Sequence, residues 1–88
     1  MSVVTGRKVK VVSADAIIQV GGGVVTGIAV TKVGASDTIE LKEGVSGGVK
    51  VPAFSASGII FIPMNVRFET EIYANVTGTT AEYVIIYD

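Results

Sequence analysis

Eight acidic side chains carry most of the reactive chemistry available to this sequence: Asp15, Asp37, Glu40, Glu43, Glu69, Glu71, Glu82 and Asp88. Two glutamates close together would work as general acid and base. Most of these glutamates fall at the polar positions of alternating segments, which reads as a solvated strand face. The aspartates would suit calcium, but that ion takes about six to eight oxygens from a dense loop. No loop here offers more than one or two acids. Histidine, cysteine and tryptophan are absent, so the usual switch at neutral pH, the thiolate nucleophile and the common zinc ligands are missing. The serines have no histidine to activate them. The expectation is a chain that is not an enzyme and holds no cofactor or metal. A small enzyme is the weakest of three functional readings, because no constellation converges.

Three further motifs invite a chemical reading. Gly21-Gly22-Gly23 looks like a phosphate loop, yet no Lys-Ser/Thr pair follows it and no helix opens after it. It reads instead as a turn whose glycines accept positive φ. Asn75-Val76-Thr77 matches a glycosylation acceptor in a chain without a secretory pattern. Tyr73, Tyr83 and Tyr87 would stack on a sugar or pair across strands. Arg7, Lys8 and Lys10 form the one local basic cluster, in a chain of seven basic and eight acidic residues with net charge −1. A nucleic-acid partner normally demands a basic excess, so none is expected. No apolar run reaches the roughly 20 residues of a membrane helix, and no membrane partner is expected either.

The elements that position these residues are strands. Valine, isoleucine and threonine dominate, and they are stiff at χ1 and suit a pleated surface. Val9 and Val11 alternate with Lys8 and Lys10 across Arg7 to Ser13. Ala16 to Val20 is a short run, and Val24 to Val33 a longer one with Ile28 and Val30 on one face. Gly34 to Asp37 is a turn by composition. Thr38 to Glu43 points Ile39 and Leu41 inward. Val49 to Val51 is a strand closed by Pro52, and Ala53 to Gly58 is irregular. Ile59 to Ile62 is apolar on both faces, which predicts a central strand or a subunit contact. Pro63 bends the chain before Val66 to Phe68. Glu71 to Thr77 places Ile72, Ala74 and Val76 on one face. Glu82 to Tyr87 sets Val84 and Ile86 against Tyr83, Ile85 and Tyr87. Seven to eight short strands with regular turns predict an all-β fold, a single antiparallel β-sandwich or jelly-roll-like barrel over residues 1–88. Residues 1–10 would serve as an N-terminal arm for strand addition.

Magnitudes favour a chain that associates. A domain of 9.1 kDa buries roughly 8,000 Å² on folding. If about 60% of that is apolar, it contributes about 125 kcal/mol. Ordering 88 residues at about 1.5 kcal/mol each costs about 130 kcal/mol. The chain is 49% hydrophobic and only 17% charged, with mean hydropathy +0.61. A marginal monomer with so much apolar surface is expected to hide part of it against other subunits.

Two stretches carry a family resemblance. Val24 to Leu41 reads VVTGIAVTKVGASDTIEL, and Val66 to Tyr87 reads VRFETEIYANVTGTTAEYVIIY. They resemble small β-rich virion proteins of tailed bacteriophages, in which a G-V-L-x-G-I-x-V strand leads to a Gly/Ser/Asp turn. Those proteins close on Phe-x-x-Gly-Leu-Tyr, a Gly-T-A connection and a V-x-V-x-Tyr strand. Gly27, Ile28 and Val30 match the first part. Phe68, Tyr73, Gly78, Thr79, Ala81, Val84 and Tyr87 match the second, with one extra residue in the last connection. Glu71-Ile72 stands where Gly-Leu is usual, and Leu41-Lys42 where Tyr-Asp is usual. The resemblance implies a capsid cement or decoration protein, or a related head or tail component. Such a protein is commonly trimeric, binds the major capsid protein and resides in the virion after synthesis in the host cytoplasm. The second reading is a tail, fibre or adsorption module that binds host glycan through its tyrosines. Expected interface residues are Ile59 and Phe61, the arm residues Val3, Val4, Arg7 and Lys8, and Tyr73, Tyr83 and Tyr87.

Overall fold

The computed structural model describes residues 8–88, and Val3, Val4 and Arg7 of the expected arm lie outside them. The described chain forms eight strands: β1 (Lys8–Val12), β2 (Ala16–Val20), β3 (Gly23–Lys32), β4 (Thr38–Glu43), β5 (Val49–Ser55), β6 (Phe61–Phe68), β7 (Glu71–Thr77) and β8 (Glu82–Tyr87). Doubling the chain back at the β4–β5 turn sets β4 on β5, β3 on β6, β2 on β7 and β1 on β8. All four pairings are present and antiparallel. Rolling this long hairpin brings β8 against β3 and β7 against β4. The result is two four-stranded sheets, a first of order β1-β8-β3-β6 and a second of order β2-β7-β4-β5. This is the jelly-roll order of an antiparallel β-sandwich.

The alternation read from the sequence supplies the core between the sheets. The first sheet contributes Val25, Ile28, Val30, Tyr83, Ile85 and Tyr87, and the second Ile18, Ile39, Leu41, Ile72 and Ala74. Full burial of each large aliphatic side chain contributes about 1.5–3 kcal/mol. Strand β3 carries one residue too many opposite β8 at two places, Thr26 and Thr31. Both are threonines, and both hydroxyls donate across the irregularity, Thr26 to the Ile86 carbonyl and Thr31 to the Glu82 carbonyl. Side-chain donors thus serve carbonyls where the regular ladder is disrupted. The triple-glycine turn between β2 and β3 holds Gly21, Gly22 and Gly23 at φ 91°, 84° and 148°. A Cβ at Gly22 would fall 2.3 Å from the Phe68 carbonyl oxygen. The turn therefore needs glycine for close approach as well as for backbone freedom.

Both prolines fall inside strands, contrary to expectation. Strand β5 runs through Pro52 to Ser55, and β6 runs through Pro63. Each strand is the outer edge of its sheet, where one row of backbone groups has no partner strand and a missing N–H is tolerated. The Ile59–Ile62 run is accordingly no central strand. Ile59 and Ile60 precede β6, and the strand lies at the edge. Of the two readings of this run, the central strand is excluded.

Candidate interaction surface

Cross-strand register fixes which side chains share a face. In the first sheet one row reads Val9, Ile86, Gly27, Pro63 from β1 to β6, and the next reads Val11, Val84, Ala29, Phe61. Tyr83, Ile85 and Tyr87 of the same β8 strand are in the core, so these two rows lie on the outer face. All eight positions are apolar. Val9 and Val11 are each 61% exposed and Phe61 is 53% exposed. The Phe61 ring lies across Gly27, where an added Cβ would meet its Cζ at 2.5 Å. Phe61 thus covers the backbone of a central strand from the outside, and Ile62 behind it pairs with Ile28 on the inner side. That is why this segment is apolar on both sides.

Charge borders the patch at both ends. Beyond Val84 and Ala29 the next pair on this face is Glu82 opposite Lys32. Beyond Ile86 and Gly27, Val24 exchanges backbone hydrogen bonds with Asp88 and pairs with Arg67. An apolar centre inside a charged rim is the layout of a protein contact surface. The outer face of the second sheet differs. Its rows are Thr38 with Thr77 and Ser55, Glu40 with Asn75, and Lys42 with Tyr73, Ile17 and Val49. Asn75 donates to Glu40 Oε2 at 2.8 Å. The second face is mixed, with Ile17 and Val49 exposed in one of its otherwise polar rows, whereas both central rows of the first face are apolar throughout.

Alternation in the N-terminal strand leaves its orientation open, and pairing with β8 settles it. Lys8 and Lys10, rather than the valines, stand on the inner side, opposite Tyr87 and Ile85. At the open margin of the sandwich Lys8 Nζ donates to Gln19 Oε1 of β2 at 2.9 Å and lies 5.9 Å from the Tyr87 ring centre. The stretch expected as a free arm is, from Lys8 onward, a paired strand. Inward lysines on an edge strand oppose addition of a further strand. Pro52 in β5, Pro63 in β6 and the irregular register of β2 at Ile18 act in the same sense on the other three edges.

The remaining expected interface residues separate. Tyr83 is fully buried and Tyr87 is 8% exposed; both belong to the core because their strand presents them to the second sheet, which removes them as interface residues. Burial, with the Asp37 charge second, pushes the Tyr83 hydroxyl up from its ordinary value. Tyr73 is half-buried on the polar face. Burial and then Asp15, which bonds its hydroxyl, raise its pKa. Ile59 is exposed in the connection ahead of β6. Of the expected residues that are described, only Phe61 falls on the apolar face. Val9, Val11, Ala29, Pro63, Val84 and Ile86 went unread, although a central strand apolar on both sides, Glu82 to Tyr87, was the available signal.

Three of the acids weighed for catalysis or calcium hold turns. Asp15 Oδ1 accepts the Val76 amide at 2.7 Å. Asp37, buried beside the β7–β8 turn, accepts Thr80 N–H at 2.8 Å and Ala81 N–H at 2.6 Å through Oδ2. Glu43 Oε2 accepts the amides of Glu69, Thr70 and Glu71 at 2.8, 2.5 and 3.3 Å. The Thr70 amide leads in holding the Glu43 carboxyl below its ordinary value; burial opposes it, and the other two amides and Lys50 reinforce it. Asp37 and Glu43 stand at opposite ends of β4, about 20 Å apart at about 3.3 Å per residue. They do not form an acid/base pair. Compared with known proteins, the chain matches no family model and no curated relative.

Proposed function

We propose that this chain is a structural subunit of a virus particle, a cement or decoration protein that stabilises the capsid of a tailed bacteriophage by binding its major capsid protein. The observation that carries the reading is the apolar, charge-rimmed outer face of the first sheet. A face of this kind is completed by another protein surface. The eight-strand jelly roll recurs in viral capsid domains, which supports the reading by analogy of fold alone. The resemblance in Val24 to Leu41 and Val66 to Tyr87 supplies the specific family and implies a homo-oligomer, commonly of three copies. A protein that binds the assembled shell and not its free parts shifts the equilibrium toward the shell. Repetition over a lattice then turns weak contacts into a strong one.

The glycan-binding alternative drew on three tyrosines at a rim, and two of them are in the core. The test compares particles with and without the protein for resistance to heat and low salt. The proposal expects lower resistance in particles that lack it, and density for the chain on the shell of those that carry it. Equal resistance and a bare shell would contradict it.

A further inference from the structure

We propose that the outer face of the first sheet pairs with the same face of a second copy, about a two-fold axis that runs along the strands between β8 and β3. The inference departs from the virion reading, which gives this face to the shell, and stands without it: here a second copy fills the face. Three observations carry it: charge placement, footprint and the condition of the edges.

Charge placement comes first. Strands β8 and β3 are the two central strands of the sheet. A two-fold axis between them sets β8 of one copy over β3 of the other and keeps every row at the same height. Glu82 and Lys32 share a row, so Glu82 of each copy faces Lys32 of the other, twice. In the next rows Val84 faces Ala29, and Ile86 faces the Phe61 ring lying over Gly27. Val11 and Val9 of β1 face Phe61 and Pro63 of β6. Apolar side chains meet apolar side chains throughout, and the Glu82–Lys32 margin complements itself. Isologous contacts require this self-complementarity, and face-to-face sheets pack aligned within about 30°.

The footprint comes second. Four strands at about 4.8 Å spacing and seven residues at about 3.3 Å give roughly 440 Å² per copy in plane. Two copies bury roughly 900 Å² before side-chain relief is counted, close to the lower end of specific interfaces at about 1,200 Å². Area alone does not set affinity, and a footprint of this size belongs with weak, reversible contacts. The edges argue for face over edge. All four edge strands carry an inward lysine, a proline or a register irregularity, and each disfavours pairing of strand to strand.

The test is sedimentation of the full chain from about 1 to 500 µM, a range that covers weak pairing. The wild type is expected to pass from 9.1 kDa to twice that mass. Val11→Lys, at an exposed position, is expected to stay a single copy with an unchanged circular dichroism spectrum. Val20→Lys, exposed at the margin of the second sheet, is expected to pair as the wild type does. Lys32→Glu and Glu82→Lys each place like charges across the axis and are expected to weaken pairing about tenfold or more. Mixing these two variants restores opposite charges between copies but not within either copy, and is expected to restore pairing. A single-copy mass at every concentration overturns the proposal, as does an assembly of two or three copies indifferent to Val11→Lys. Failure of the mixture to recover overturns the axis. Particles still stabilised by a chain that never pairs would leave the cement reading standing and assign the face to the shell.

Discussion

Removing the Asp37 carboxylate is expected to cost this small fold a large share of its stability. Asp37 lies at the end of the β3–β4 turn and is 6% exposed. Its Oδ2 accepts two backbone amides of the β7–β8 turn, at 2.8 and 2.6 Å. Its own amide donates to Gly34, and its carbonyl accepts from Ala56 just past β5. One residue thus ties together the connections of three strand pairs. A hydrogen bond to a charged group contributes about 1.5–3 kcal/mol net, and leaving a buried amide unsatisfied costs about 1–3 kcal/mol. The two bonds together set the loss in Asp37→Ala at about 3–5 kcal/mol. Asp37→Asn keeps an acceptor oxygen but loses the charge, and about 1–2 kcal/mol is expected. A domain of this size has about 4–13 kcal/mol in total, so the alanine variant would melt more than about 10 °C below the wild type. Urea titration measures both, with an unchanged slope showing that only stability has moved. A loss below about 1 kcal/mol for Asp37→Ala, or equal losses for alanine and asparagine, would refute the assignment of charged, buried bonds.

Other consequences follow from neighbouring contacts. Gly78 has φ 96°, and a Cβ there would lie 2.1 Å from Asp37 Oδ1. Gly78→Ala should therefore destabilise by about 2 kcal/mol or more through strain and displacement of the carboxylate together, read by the same titration. The Tyr83 hydroxyl is buried with no hydrogen-bond partner; Tyr83→Phe should be neutral or raise stability by up to about 1 kcal/mol, because it removes an unpaired polar group from the core. The pKa of Glu43 is lowered from 4.5 in the folded state. Its contribution is present above that value, where the unfolded chain is also ionised, and is lost as pH falls through the lower folded value. The melting-temperature gap between wild type and Glu43→Gln should be open at pH 7 and narrow as the pH falls below 4.5; a gap independent of pH would contradict this.

Much of the fold was legible because a strand's alternation is a direct record of burial. Ile39 and Leu41, Ile28 and Val30, and Ile72 and Ala74 were read as pairs on one face, and each pair is buried. The prolines misled only as strand ends, because their cost depends on strand position. Pro52 and Pro63 end a central strand but are tolerated at an edge, and edge or centre is a property of the whole topology. The N-terminal strand was legible as alternation but not as orientation, for a related reason. Lys-Val-Lys-Val alternation is symmetric, and only pairing with β8 decides that valines face outward. The interaction face was half visible, since Glu82 to Tyr87 is apolar on both sides. Assembling it needed the register of four strands that are far apart in sequence, and Gly27 under Phe61 carries no local signal. The turn-holding roles of Asp15, Asp37 and Glu43 were out of reach for the same reason: each accepts from amides at least 26 residues away.

Methyl NMR across a dilution series tests most directly whether the outer face of the first sheet is a contact surface. The account predicts concentration-dependent shifts for Val9, Val11, Val84 and Ile86, and steady signals for core methyls of Ile39 and Leu41 and for Val20 on the second sheet. Shifts confined to the second sheet, or none at any concentration, would contradict it.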